Sequence, residues 1–88
     1  IEEHGRGREY LKQRLSELGY EYKGDAGNFL FVRTNLDADV LVSRMKKEGI
    51  LIKSYDGIGN FGKCIRVTTA AKKYMEIFVD ALIKLDNI

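Results

Sequence analysis

The residue best placed to do chemistry is Arg66, within Gly62-Lys63-Cys64-Ile65-Arg66-Val67-Thr68-Thr69. Read with a period of two, Ile65 and Val67 fall on one face of a short strand, and Cys64, Arg66 and Thr68 on the other. A guanidinium on a stiff strand suits two-pronged capture of a carboxylate or a phosphate. Because an unpaired buried charge is very costly, Arg66 must either meet an anion or reach water. Two readings stand open: an anion anchor, and an edge-strand arginine directed into solvent.

Other chemistry-bearing residues are sparse. Cys64 shares the strand with Arg66, but no histidine is placed to activate it, and it reads as a small buried filler. His4 is the only histidine and has no cysteine or carboxylate at ligand spacing, so it reads as solvated. Gly57, Gly59 and Gly62 match G-x-G-x-x-G. A dinucleotide site needs those glycines to open a helix whose N-terminus takes the pyrophosphate. Here a strand follows, so the stretch Asp56–Gly62 reads as a hairpin connection. No H-x-x-x-H, C-x-x-C or convincing carboxylate pair is present.

The elements that must position Arg66 can be read in order. Leu11, Leu15 and Leu18 recur at helical spacing from Glu9 onward, and Gly19 stands where a helix closes. The preceding residues, 1–8, carry two glycines and no apolar period, and read as a frayed leader. After the polar turn Lys23–Gly27, the run Asn28-Phe29-Leu30-Phe31-Val32-Arg33 predicts a central strand covered on both faces. Asn35 is the expected cap of a second helix, with Asp37 and Asp39 in its first turn, Ala38, Leu41, Val42 and Met45 as its stripe, and Gly49 as its stop. Those charged ends are helix punctuation rather than a basic binding patch. Ile50–Tyr55 and Cys64–Thr68 are the next strands. A last helix from about Ala71 to Leu85, capped by Thr68 or Thr69, presents Tyr74, Ile77, Phe78, Ala81, Leu82 and Leu85 as a core stripe.

Eighty-eight residues with 44% hydrophobic content and charges of both signs describe one small folded domain. A net charge of +2 is too small to imply a nucleic-acid or membrane partner. One cysteine allows no internal disulfide, no apolar run approaches membrane-spanning length, and no signal-peptide pattern is visible. The cytoplasm is the expected compartment. The order α-β-α-β-β-α predicts an α+β fold: a three-stranded sheet with helices packed on one face and the other face partly open. The first two strands would be parallel if adjacent, and the hairpin-linked pair antiparallel. An open face is normal for a piece of a larger protein.

Taken together, Leu15-Ser16-Glu17-Leu18-Gly19, Gly27-Asn28-Phe29-Leu30-Phe31-Val32, Lys46-Lys47-Glu48-Gly49-Ile50-Leu51-Ile52-Lys53 and Gly62-Lys63-Cys64-Ile65-Arg66-Val67-Thr68 carry a resemblance. In that order and spacing they resemble the C-terminal small domain of fold-type I pyridoxal-phosphate aminotransferases, class I/II. The nearest branch is that of the histidinol-phosphate aminotransferases, which includes threonine-phosphate decarboxylases. The resemblance implies that Arg66 holds the substrate's carboxylate. It implies that Lys53 stands where the branch often has a phosphate-binding arginine; a lysine there keeps the charge but loses the fork. Family motifs for the Schiff-base lysine, the pyridine aspartate and the phosphate cradle are absent, so no catalytic residue and no cofactor-binding residue is expected in this chain. Pyridoxal phosphate would belong to the parent protein, held mainly by a large domain of the same polypeptide. The parent is expected to be a homodimer and the fragment an inactive monomer. Near Ala70, Tyr74 and Asp25 the sequence departs from the branch, which leaves the exact substrate open. The competing reading is a stand-alone ferredoxin-like module that binds a ligand or nucleic acid, to be distinguished by strand number and order.

Overall fold

A computed structural model describes residues 3–24, 28–56 and 61–87. Its elements are α1 (Glu3–Leu18), β1 (Tyr22–Lys23), β2 (Phe29–Val32), α2 (Ala38–Lys47), β3 (Lys53–Tyr55), β4 (Cys64–Thr68) and α3 (Lys72–Leu85). The first helix starts at Glu3 rather than Glu9, so most of the expected frayed leader is helical. Its glycine at position 7 has a packing reason: a Cβ there would run into the Ala70 carbonyl, so only glycine lets α1 approach the β4–α3 connection. Gly19 and Gly49 both close their helices at φ +84°, as expected of C′ glycines.

The sheet has four strands, not three, in the order β1-β2-β4-β3, and every neighbouring pair is antiparallel. The element order is therefore α-β-β-α-β-β-α. The extra strand, β1, is two residues long, too short to show a period in sequence. Its pairing is extended by Arg33 N–H donating to the Glu21 carbonyl at 3.0 Å. The two strands joined through α2 are not adjacent, because β4 lies between them; β3 and β4 are antiparallel as expected.

Alternation decides which face is covered. Leu30, Val32, Ile65 and Val67 are buried in one cluster with Leu11 and Leu15 of α1, Leu41 and Met45 of α2, and Phe78, Val79 and Leu82 of α3. All three helices thus pack on one face. The expectation that β2 is covered on both sides fails for this reason: Phe29 is exposed and Phe31 half-buried on the other face. The core stripe of α3 is also rotated from the expected one. Met75, Phe78, Val79, Ala81 and Leu82 are buried, whereas Tyr74 and Ile77 are 54% and 55% exposed.

The caps differ as well. Asp37, not Asn35, caps α2, accepting from the Asp39 N–H at 3.0 Å. No side chain caps α3, because the Thr69 hydroxyl donates to the Asn28 carbonyl instead. Asn35 serves a different junction. The buried Asp86 carboxylate, just past α3, accepts from the Asn35 and Leu36 N–H groups and from the Tyr20 hydroxyl, at 2.7–2.8 Å. One side chain thereby joins the end of α1, the approach to α2 and the end of α3.

Candidate functional site

The register pins the helix-free face of the sheet. Cross-strand partners share a face, and Lys53 pairs with Arg66, Arg66 with Phe31, and Phe31 with Lys23. These four side chains form one row across all four strands. Phe29 and Tyr55 stand on the diagonals beside Arg66, opposite Thr68 and Cys64. The strand residues facing this way are cations, aromatic rings, a threonine and a cysteine, with no carboxylate among them.

Arg66 is half-buried, and its guanidinium carbon lies 4.4 Å from the centre of the Phe29 ring and 5.9 Å from that of Tyr55. Tyr55 in turn packs on Phe31, with ring centres 5.2 Å apart. Aromatic faces attract a cation without neutralising it. Among the described residues no carboxylate lies within ion-pair distance of Arg66 or Lys53. Lys53 and Arg66 are therefore directly opposed like charges, which repel each other. Beside them a hollow of about 340 Å³ is lined by Lys53, Arg66, Thr68, Ile50, Leu51, Ile52, Val42 and Lys46.

The far end of the same face is closed by the segment before β4. Phe61 is buried, with Lys23 Nζ 5.5 Å and Arg33 Cζ 5.8 Å from its ring centre. Arg33 also donates to Glu21 at 2.8 Å, so it is already satisfied. Lys63 ties this segment to α2, reaching Asp39 at 2.8 Å and Asp37 at 3.4 Å; its hydrogen bond holds the Asp39 carboxyl below its usual range. Cys64 is fully buried, and burial pushes its thiol pKa up, which suits a filler. Gly57 and Gly59 of the glycine motif lie outside the described residues, as does the His4 side chain.

Arg66 and Lys53 are thus brought together on one face. Phe29, Phe31 and Tyr55 are the companions that the residue types alone did not single out. The i, i+2 spacing of Phe29 and Phe31 already put them on one face, but placing Arg66 against them required the strand order. Leu51, 81% exposed, lines the hollow beside Lys53 and Arg66 and also borders a second one, with Tyr74 and Ile77, floored by Met75 and Phe78. The open sheet face is mixed aromatic and cationic rather than simply apolar.

No protein-family model matches the chain. Curated proteins do. The chain is 36% identical over 78 residues to the histidinol-phosphate aminotransferase of Brachyspira hyodysenteriae, a match covering 85% of this chain and 21% of that protein. It is 30% identical over 78 residues to that of Chromohalobacter salexigens, with the same coverage of each. Among solved structures, a decarboxylase from Sulfurospirillum multivorans superposes with a TM-score of 0.77 at 21% identity, over 93% of this chain and 25% of that one. An amino transferase from Eubacterium rectale superposes with a TM-score of 0.70 at 24% identity, over 97% and 23%. The fold is that of a segment of these proteins. In sequence the chain is similar to histidinol-phosphate aminotransferases over most of its own length, and the resemblance carried by its motifs is borne out. It spans about a fifth of the length of the curated relatives it matches.

Proposed function

We propose that this chain is the substrate-binding C-terminal small domain of a pyridoxal-phosphate-dependent aminotransferase, with Arg66 as anchor for the carboxylate of the amino-acid substrate. Lys53 meets a second anionic group on the substrate, a phosphate in the branch the sequence favours. The observation that carries this reading is the directly opposed pair Lys53 and Arg66, on the helix-free face and without a carboxylate among the described residues. The aminotransferase relatives support it from an independent direction.

In this proposal the described residues of this chain do not hold pyridoxal phosphate. A site for it needs a lysine for the covalent link and an acidic or arginine partner for the pyridine nitrogen. The strand residues of the open face offer no carboxylate for that nitrogen, and the proposal commits Lys53 and Arg66 to the substrate's anions. The cofactor therefore falls to residues beyond this chain, in the rest of the polypeptide. What this chain's own residues do is bind and orient. The guanidinium takes both carboxylate oxygens through parallel N–H donors, which fixes the direction of the Cα substituents. Lys53 takes a point contact at the other end, and the Phe29 and Tyr55 rings flank the guanidinium.

The test is steady-state kinetics of the full polypeptide carrying Arg66→Ala and Arg66→Lys. A lost bidentate charged contact of about 1.5–3 kcal/mol lowers kcat/KM for amino-acid substrates by roughly ten- to several-hundred-fold. Lysine restores only part, because a point charge lacks the fork. Melting should be nearly unchanged; a stability loss that accounts for the lost activity contradicts the proposal. A second reading, the ligand- or nucleic-acid-binding module, has two observations in its favour: the sheet has a fourth strand, and Phe29, Phe31 and Tyr55 with cations on an open antiparallel sheet resemble a single-stranded RNA platform. Salt-sensitive binding of unstructured RNA oligonucleotides by the open face would support that reading over the first.

A further inference from the structure

The contacts of Arg66 raise a question that the anion-anchor reading leaves open: what holds the guanidinium in place when no anion is bound. An arginine side chain has many rotamers, and freezing them on binding weakens affinity. The usual solution is a carboxylate that orients the fork, but such a partner would compete with the substrate for it. Here none is within ion-pair distance among the described residues, and the contacts are rings. Phe29 lies on one diagonal from Arg66 at 4.4 Å and Tyr55 on the opposite diagonal at 5.9 Å, in the two strands that flank β4. Phe29 stands in register opposite Thr68, and Tyr55 is packed on Phe31 at 5.2 Å.

We propose that Phe29 is a positioning residue for Arg66, its ring face holding the guanidinium ready for a carboxylate while leaving every N–H free to donate. Tyr55, braced by Phe31, is the weaker support on the other side. A ring suits this task better than an acid, because it attracts the cation without occupying its donors. The assignment rests on the reading of Arg66 as carboxylate anchor and adds the group that prepares it.

The experiment uses the full polypeptide with Phe29→Leu, Phe29→Tyr, Arg66→Ala and the double variant Phe29→Leu with Arg66→Ala. Phe29→Leu keeps apolar bulk but removes the ring face, and KM for the amino-acid substrate should rise by roughly 3- to 20-fold, with kcat within about twofold. Phe29→Tyr should stay within about twofold of the native protein. In the Arg66→Ala background, Phe29→Leu should add nothing, because the two residues act as one unit. Melting curves of all variants accompany the kinetics, and dissociation constants for a non-reactive carboxylate analogue give a readout besides turnover. If Arg66→Ala leaves KM and analogue binding unchanged, the carboxylate reading itself is wrong. If Arg66→Ala weakens binding but Phe29→Leu does not, or if the two effects simply multiply, the reading stands and the positioning role is refuted.

Discussion

At the scale of single residues, Arg66 was legible from its place on a short strand, but its surroundings were not. Period-two reading separated Arg66 from Ile65 and Val67 correctly, since those two are buried in the core and Arg66 is not. Which residues stand beside it depends on strand order, and β4 sits between β2 and β3. That long-range pairing leaves no local periodicity to read. Lys53 stands across from Arg66 and is exposed; in the proposed function it tunes anion binding rather than creating it. Lys53→Ala is expected to lower kcat/KM for a phosphorylated substrate by about tenfold, and for an unphosphorylated one hardly at all. Lys53→Arg should match or exceed the native value, because it restores a fork. Kinetics on the matched pair of substrates checks both statements.

At the scale of elements, the junction at Asp86 is the most demanding arrangement in the fold. Its buried carboxylate accepts from donors in two segments, Tyr20 after α1 and Asn35-Leu36 before α2, that are far from it and from each other in sequence. Asp86→Ala leaves these donors without their acceptor, and should destabilise by about 2–4 kcal/mol. A lower urea midpoint at unchanged slope would show this. Burial, then the hydrogen bond to Asp86, raises the Tyr20 hydroxyl pKa well above its ordinary 10.0. The folded chain therefore keeps this proton where the unfolded chain has lost it. Stability is fully present below about pH 10 and declines as pH rises beyond it. Tyr20→Phe should flatten that alkaline decline, as followed by denaturant midpoints at several pH values. Nothing in the sequence pattern marks Asp86, because its partners, two backbone N–H groups and the Tyr20 hydroxyl, are made adjacent only by folding. The rotated stripe of α3 has a similar origin: Tyr74 and Ile77 sit at the margin of the buried arc, and apolarity alone does not separate margin from centre. Gly7 is the opposite case, a helix-disfavouring residue whose use appears only at the contact with Ala70. Gly7→Ala should cost about 1–3 kcal/mol by overpacking, visible as a lower Tm.

At the scale of the whole molecule, the covered and open faces of the sheet followed from composition and alternation, while the strand count did not, because β1 is only two residues long. The open face carries cations and rings but no strand carboxylate, and the chain matches about a fifth of its curated relatives. The 88 residues alone are therefore expected to retain no pyridoxal phosphate. Their mixture with the cofactor should lose its long-wavelength absorbance on desalting. A band that persists and maps to a lysine of this chain would overturn that division of labour. The proposed function rests on one contact, between Arg66 and a substrate carboxylate. It is tested most directly by comparing an amino-acid substrate with the corresponding amine that lacks the carboxylate, in native and Arg66→Ala forms of the full polypeptide. The account predicts that Arg66→Ala lowers kcat/KM for the amino acid by roughly ten- to several-hundred-fold and leaves the amine's value, already low, within about twofold. Equal losses for both compounds, or no loss for either, would contradict it.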